Sequence, residues 1–195
     1  MRIVVINHVT LDGVMQSPGG LDEDTRDGFE QGGWAATEVG SPDPAIGAAM
    51  SARMAESDGL LLGRRTYEDL LAIWNEQGGP FKDALNKAQK YVASTTLTEP
   101  LPWPNSTLVT DVVAGVAELR ARPGRELDIL GSGDLLRTLL PHGLVDELLL
   151  MIHPVVLGRG RRLFPDGTPV SLDLVDATVT PSGVVITTYR TADKG

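Results

Sequence analysis

Cysteine is absent from the sequence, and histidine is rare. Without cysteine the chain has no thiol nucleophile, no disulfide, no thiolate zinc site and no cysteine-ligated iron–sulfur cluster. The three histidines, His8, His142 and His153, are too few for a histidine-rich metal centre. The sequence therefore predicts no metal site.

Long apolar runs are also missing. A membrane span needs about 18 or more consecutive apolar residues, and the amino-terminal run MRIVVINHVTLDG is interrupted by Asn7 and His8. The sequence therefore predicts neither a transmembrane helix nor a signal peptide. We expect a cytoplasmic protein with no membrane partner.

Basic residues are outnumbered, with 17 Lys and Arg against 26 Asp and Glu and a net charge of −9. This balance disfavours binding to nucleic acid, because phosphate backbones are bound by clustered cationic side chains. The 195 residues are 42% hydrophobic and 22% charged, which is typical of a folded chain. A chain of this size buries roughly 70% of its unfolded surface, and we expect one domain over residues 1–195.

Strands rich in apolar residues alternate with helices along most of the chain. The pattern predicts strands at 3–9, 59–63, 90–94, 107–109, 126–130 and 145–153, and helices at 44–57, 64–74, 111–121 and 133–141. Two β-branched runs, 171–179 and 183–190, flank a Thr-Pro-Ser-Gly turn. The sequence therefore predicts an α/β fold with a mostly parallel sheet, flanking helices and an antiparallel carboxyl-terminal hairpin.

Residues 15–43 contain many Gly, Pro, Asp and Glu residues and few apolar ones. Loops of this length inside a compact domain are usually functional or disordered. The segment is a candidate lid.

The first strand-to-helix junction with candidate binding residues is Gly63-Arg64-Arg65-Thr66. Two arginines at a helix start oppose the positive end of the helix dipole, and a bound anion would explain them. The alternative is structural: one arginine is solvated and the other pairs with a surface acid. The sequence leaves both open.

The second junction is Gly131-Ser132-Gly133, followed by Asp134 and Leu135. Its glycines permit close approach of a diphosphate to the free amides of a helix start. The dinucleotide fingerprint is incomplete, because a third glycine is missing. An ordinary tight turn is the alternative.

A third junction places Ser94 and Thr95 after another strand. In open α/β sheets ligands bind beyond the carboxyl ends of the strands, where all three junctions are expected. Arginines, hydroxyls and amides together suit a ligand with a diphosphate and a separate phosphate. The common metabolite that fits is NADP(H), although each junction alone is also explained as a solvated turn.

The ordered set of motifs resembles the dihydrofolate reductase fold superfamily. More specifically, it resembles the reductase domain of riboflavin biosynthesis and its free-standing small relatives. The similarity is carried by TLDGVMQ (10–16), GGW (32–34), LLLGRRTYE (60–68), ILGSGDLLRTLL (129–140), VDELLLMIHPVVLGRGRRLF (145–164) and the closing hairpin. It implies an NADPH-dependent reductase that transfers a hydride to a C=N or C=O bond of a small heterocyclic or ribityl-like substrate.

The resemblance also implies roles for individual residues. Gly63, Arg64, Arg65, Thr66, Ser94 and Thr95 would hold the adenosine 2′-phosphate, and Gly131, Ser132, Gly133, Asp134 and Leu135 would hold the diphosphate. Asp12, Gly13 and Val14 would lie near the transferred hydride, with Asp12 as the candidate catalytic carboxylate. Local turn chemistry explains Asp12 equally well. Trp34 is a candidate substrate contact, with core packing as its alternative.

Some expected features are missing. Residues 46–55 contain no carboxylate where dihydrofolate reductases hold the pterin, and the zinc site of the riboflavin deaminase half needs cysteine. A non-catalytic nucleotide-binding or interaction module on the same fold is therefore the alternative function. Arg159, Arg161 and Arg162 suit either a phosphorylated substrate or a solvated loop. Relatives pair through their last strands, so we expect a homodimer.

Overall fold

The computed structural model describes residues 1–36, 43–164, 167 and 169–192. The chain forms two compact units, which we call unit 1 (Met1–Val4 and Glu56–Val145) and unit 2 (Val5–Ala55 and Asp146–Gly195). The prediction of one domain over residues 1–195 stays a prediction. In the part of the chain that the structure describes, no helix has the length and apolar character that a membrane crossing requires.

Eight strands form one sheet with the hydrogen-bonded order β4-β3-β2-β5-β1-β6-β8-β7. The strands are β1 Arg2–Thr10, β2 Gly59–Gly63, β3 Lys90–Ala93, β4 Ser106–Val109, β5 Glu126–Leu130, β6 Glu147–His153, β7 Leu172–Val179 and β8 Val185–Thr191. The helices are α1 Pro44–Glu56, α2 Arg64–Gln77, α3 Gly79–Lys87, α4 Val112–Ala121 and α5 Gly133–Leu139. The predicted fold class is confirmed.

Unit 1 contains the parallel part of the sheet. β2 pairs in parallel with β3 on one side and β5 on the other, and β3 pairs in parallel with β4. β2 and β5 are almost completely buried along their length, as expected for strands covered on both faces. Helix α2 packs Leu70, Leu71 and Trp74 against a core cluster that includes Tyr67 and Trp103.

Helix α3 was not predicted. Its start, Gly-Gly-Pro at 78–80, has the composition of a loop. Pro80 lies in the first turn of the helix, where a proline costs little because the first amides have no helical partner. Leu85 is buried, and Phe81 packs against Trp74 with 4.5 Å between ring centroids. These contacts stabilise a nine-residue helix that the composition alone disfavours.

Unit 2 ends in the predicted hairpin. β6 pairs antiparallel with β8, and β8 pairs antiparallel with β7. In the connecting turn Gly183 has φ +83° and its amide donates to Thr180 O at 2.9 Å. β7 is the outermost strand, and Leu174 and Val179 on it are 59% and 71% exposed. The homodimer stays a prediction.

Helix α1 of unit 2 begins at a well-defined cap. The Asp43 carboxylate accepts from the Ala45 amide at 2.9 Å and from the Ser182 hydroxyl, which ties the helix start to the β7–β8 turn. At the other end, Arg53 donates to Glu147 at the start of β6 at 3.0 Å. The helix is therefore fixed at both ends to the antiparallel strands.

Candidate functional site

The three predicted junctions lie at one edge of the sheet in unit 1. Gly63, the last residue of β2, is opposite Ala93, the last residue of β3. On the other side of β2, Gly59 and Leu60 are opposite Leu127 and Asp128 of β5, whose end leads to Gly131. Parallel strands end at a common edge, so the residues that follow them are neighbours.

A serine hydroxyl joins two of these junctions directly. Ser132 Oγ accepts the Gly63 amide at 2.9 Å and hydrogen-bonds Thr66 Oγ1 at 2.8 Å. The loop after β5 is thus tied to the first turn of α2. This link was not predicted from the sequence, because the two sides are 66 or more residues apart.

The first turn of α2 carries the two arginines. Arg64 pairs with Glu68 one helical turn later, with 2.7 Å between Nη1 and Oε2, while Arg65 is exposed. The N-cap of α2 is Gly63, which has no side chain of its own to cap the helix start. The structural alternative, one arginine paired and one solvated, therefore describes this state of the helix. An exposed ion pair is worth only about 0–1 kcal/mol, so Arg64 remains available to a phosphate.

The serine and threonine of the third junction differ in their surroundings. Ser94 is buried, and its Oγ accepts the amides of Thr96 and Leu97 at 3.1 and 3.0 Å. Thr95 is exposed. Ser94 therefore shapes the turn, and Thr95 presents a hydroxyl to solvent beside the arginine-bearing helix start.

The start of α5 combines a tight backbone with amides. Gly131 has φ +60°, and Ser132 adopts the left-handed conformation at the N-cap. Gly133 and Leu135 are buried, whereas Asp134 is exposed. Asp134 pairs with Arg137 one turn later, which partly offsets the carboxylate charge near a helix start predicted to bind an anion.

The predicted hydride-side residues belong to unit 2, where Asp12 closes a loop. Its Oδ1 accepts from the Thr10 hydroxyl at 2.6 Å and the Leu157 amide at 3.2 Å, and its Oδ2 accepts from the Gly158 amide at 2.8 Å. The Thr10 hydroxyl is the main cause that lowers the pKa of Asp12, and the Gly158 and Leu157 amides lower it further. Asp12 is therefore ionised at neutral pH.

Gly13 and Val14 continue the same contact between loops. The Leu163 amide donates to Gly13 O at 2.9 Å, and Val14 forms an antiparallel bridge with Arg162. Gly160 permits this approach: a Cβ there would lie 2.7 Å from Val14 Cγ1. The loop after β1 is therefore attached to the loop after β6.

Gln16 organises the described part of the candidate lid and was missed in the sequence analysis. Its Oε1 accepts the Arg161 amide at 2.9 Å, and its Nε2 donates to Asp24 O and Arg26 O at 3.1 and 3.0 Å. A buried amide side chain that satisfies three backbone groups holds the segment in one conformation. Positions 37–42 of the lid prediction lie outside the described residues.

Trp34 belongs to a cluster with the two strand histidines. Its indole nitrogen donates to Gln16 O at 2.7 Å, and its ring meets His153 edge-on at 5.4 Å. His8 Nδ1 and His153 Nε2 are 2.9 Å apart, so one proton is shared between the two rings. Burial lowers the pKa of His8 to about 4 and also lowers the pKa of His153. Both rings are neutral at pH 7.

The arginine loop after β6 makes mainly local contacts. Arg159 donates to Gly28 O at 2.7 Å, and Arg161 pairs with Asp27 at 2.9 Å. These contacts favour the structural interpretation of the loop over a phosphate site. Positions 165, 166 and 168 lie outside the described residues.

Comparison with known proteins identifies the family. The sequence profile of the RibD C-terminal domain matches residues 2–186. The chain belongs to the RibD C-terminal domain family. The matched range includes every residue assigned to the candidate sites, from Asp12 to Leu135. The family resemblance that the motifs predicted is confirmed.

Relatives of this RibD C-terminal domain agree with the assignment. The chain is 30% identical over 176 residues to the uncharacterized protein YyaP of Bacillus subtilis strain 168, with 85% of this chain and 90% of that protein covered. It resembles the structure of a putative riboflavin biosynthesis protein from Shewanella sp. PV-4 with a TM-score of 0.71 and 24% identity. That match covers 99% of this chain and 100% of the other.

Two more distant structures show the same fold. A pyrimidine reductase-like protein from Corynebacterium diphtheriae has a TM-score of 0.63 and 14% identity, with 99% of this chain and 92% of that chain covered. Dihydrofolate reductase from Enterococcus faecalis, complexed with NADP(H) and RAB-propyl, has a TM-score of 0.59 and 14% identity, with 98% and 97% covered. The RibD C-terminal domain therefore has the dihydrofolate reductase-like fold.

Proposed function

We propose that the protein is an NADPH-dependent reductase that acts on a C=N or C=O bond of a small heterocyclic or ribityl-like substrate. The observation that carries the proposal is the common edge of β2, β3 and β5 in unit 1. Two arginines, the exposed Thr95 and the starts of two helices lie there, at the three junctions that follow these strands. No one junction suffices, because each has a structural explanation of its own.

The chemistry of these groups fits the phosphates of NADP(H). Arg64 and Arg65 can neutralise a phosphate monoester, and the arginine fork matches its oxygens. Thr66 and Thr95 supply hydroxyl donors beside them. Gly131 and the amides that start α5 suit a diphosphate, which needs close backbone approach more than side chains.

Gly63 must remain small in this arrangement. A Cβ at this position would lie 3.1 Å from Ser132 Oγ, which is tighter than ordinary contact. Since Ser132 Oγ also accepts the Gly63 amide, a larger side chain would push apart the loop after β5 and the start of α2. The contact between the loop after β5 and the start of α2 therefore requires glycine at position 63.

Bound NADPH supplies the hydride, and the protein supplies binding, orientation and electrostatics. Asp12, Gly13 and Val14 remain the proposed residues near the nicotinamide, and Trp34 the proposed substrate contact. The lowered pKa of Asp12 means that this carboxylate holds no proton to donate at neutral pH. Its proposed role is to orient the loop after β1, and water then supplies the proton.

Calorimetric titration with NADPH and NADH tests the cofactor assignment. Replacement of both Arg64 and Arg65 by alanine should weaken NADPH binding by about 1.5–3 kcal/mol for each lost charge-assisted contact and leave NADH binding nearly unchanged. Arg122→Ala is the matched control, because Arg122 is an exposed arginine in unit 1 that follows α4. If wild-type protein binds neither nucleotide, the proposal is wrong.

Turnover requires a second assay. NADPH oxidation is followed with a panel of pterin, pyrimidine and small carbonyl acceptors, with and without the double arginine substitution. Oxidation that depends on the arginines supports a reductase. Tight NADPH binding without oxidation of any acceptor would instead favour a nucleotide-binding module that lacks turnover.

A further inference from the structure

Ser132 has an unusual backbone conformation for its residue type. Its φ and ψ are 55° and 54°, in the left-handed region, and it is the N-cap of α5. Residues with a Cβ are disfavoured there, and glycine is the usual choice. Both neighbours in the sequence are glycines, yet the left-handed N-cap position carries a serine.

The hydroxyl of Ser132 does not perform the usual task of an N-cap serine. Such a side chain normally accepts an amide from the first turn of its own helix. The Ser132 side chain makes no capping hydrogen bond to α5. Ser132 Oγ instead accepts the Gly63 amide and hydrogen-bonds the Thr66 hydroxyl, both at the start of α2.

This arrangement fixes the start of α2 on two sides of Arg64 and Arg65. Gly63 precedes the arginine pair and Thr66 follows it, and both bond to the same oxygen atom at 2.9 and 2.8 Å. An oxygen that accepts one amide and exchanges one hydroxyl hydrogen bond has little freedom to rotate. The first turn of α2 is therefore attached to the loop after β5 through a single atom.

We propose that Ser132 is a positioning residue that gives the protein its preference for a 2′-phosphorylated dinucleotide. The inference rests on the proposed function, because it assumes that Arg64 and Arg65 receive the 2′-phosphate. Ser132 acts through the arginine-bearing turn: its hydroxyl sets where that turn lies relative to the loop after β5. A diphosphate bound at that loop and a phosphate bound by the arginines are then held at a fixed separation.

Glycine and alanine substitutions at position 132 separate the hydroxyl from the backbone. Ser132→Gly removes the hydroxyl and relieves the left-handed strain, so it should be more stable than Ser132→Ala, which loses the same hydrogen bonds. Ser132→Ala removes the hydroxyl and keeps the strain. If the hydroxyl is what matters, both variants lose NADPH affinity to a similar extent despite different thermal stability.

The experiment is calorimetric titration of wild type, Ser132→Gly and Ser132→Ala with NADPH and with NADH. We expect the preference for NADPH, measured as Kd for NADH divided by Kd for NADPH, to fall about tenfold in both variants. This is the size expected for one hydrogen-bonded contact. Thr138→Ala is the matched control, because its hydroxyl donates to Asp134 O within α5 and not to α2 in the part of the chain that the structure describes. The control should keep the wild-type ratio.

The double variant Ser132→Gly, Arg65→Ala tests whether Ser132 affects NADPH binding through the arginine-bearing turn. If Ser132 acts through the arginine-bearing turn, Ser132→Gly should change NADPH affinity much less when Arg65 is already alanine. Equal losses for NADPH and NADH, or additive effects of the two substitutions, would overturn the inference and leave the reductase proposal intact. Wild-type protein that binds neither nucleotide would overturn both.

Discussion

The predicted site residues differ between the two units in their exposure and in their hydrogen bonds. In unit 1 Arg65 and Thr95, which follow the ends of β2 and β3, are exposed to solvent. In unit 2 Asp12 and Gln16 are each bonded to three or more groups of the protein. Arg65 and Thr95 in unit 1 therefore face solvent, whereas Asp12 and Gln16 in unit 2 hold loops together.

This contrast separates residues that should contribute to ligand binding from residues that should contribute to folding stability. Removal of a group that faces solvent should change affinity and leave stability nearly constant. Removal of a group that bonds to backbone amides should destabilise the protein first. Buried ionisable groups extend the comparison, because they make stability depend on pH.

The largest expected effect concerns His8 in unit 2. Burial lowers its pKa from 6.5 to about 4, so between these values the unfolded chain binds a proton that the folded chain does not. The free energy of unfolding should therefore fall as the pH drops through this range, by up to about 3 kcal/mol. Urea unfolding at neutral pH and near pH 4 measures this loss.

His8→Gln should reduce that pH-dependent loss, and His142→Gln should not, because His142 is exposed. Carboxylates that protonate in the same range affect all three proteins alike and cancel in the difference. An identical pH dependence in wild type and His8→Gln would contradict the prediction.

A smaller effect is expected for Asp12. Asp12→Ala should lower the free energy of unfolding by about 2 kcal/mol, because the Leu157 and Gly158 amides lose a charged acceptor. The lowered pKa means that this stabilisation is present above about pH 4 and is lost as the pH falls through the folded-state value. Chemical denaturation together with amide hydrogen exchange at Leu157 and Gly158 measures it.

Asp12→Asn is the control for that experiment. Its amide oxygen can still accept one of the hydrogen bonds from the Leu157 and Gly158 amides, so this substitution should lower the free energy of unfolding less than Asp12→Ala. Unchanged exchange at Leu157 and Gly158 in Asp12→Ala would show that the loop does not depend on this carboxylate.

The smallest effect on stability is expected for Arg65. Arg65→Ala should change the free energy of unfolding by less than about 0.5 kcal/mol, as is usual for an exposed position without specific contacts. Its NADPH affinity should nevertheless fall. Thermal unfolding and calorimetry on the same samples give both values, and a clear destabilisation without a change in affinity would reverse the comparison between the units.

Unit 1 was largely predictable because the positions of its strands and helices follow from short stretches of sequence. β2 is a continuous apolar run, and both β2 and β5 are closely followed by a helix, so the position of Arg64 or Gly131 follows from where a strand ends. Helix α3 is the exception. Its stability comes from Leu85 and Phe81 in the core, which outweigh an unfavourable Gly-Gly-Pro start.

Unit 2 was harder to predict because its polar contacts are distant in sequence. Gln16 bonds to an amide 145 residues away, and Asp12 bonds to amides 145 and 146 residues away. The composition of residues 15–43 is compatible with a lid and with a segment held in place by the hydrogen bonds of Gln16, so composition alone could not predict which one forms. The His8–His153 pair likewise joins two strands whose separation in sequence gives no signal of contact.

These distant contacts affect the order in which the chain can fold as it is synthesised. Apart from Met1–Val4, unit 1 is one continuous segment, and all of it is synthesised before β6. Leu11, Asp12 and Gln16 must wait for partners at Val155, Gly158 and Arg161. For most of translation the amino-terminal loop is therefore without its partners, and the last quarter of the chain completes the unit that begins at Val5.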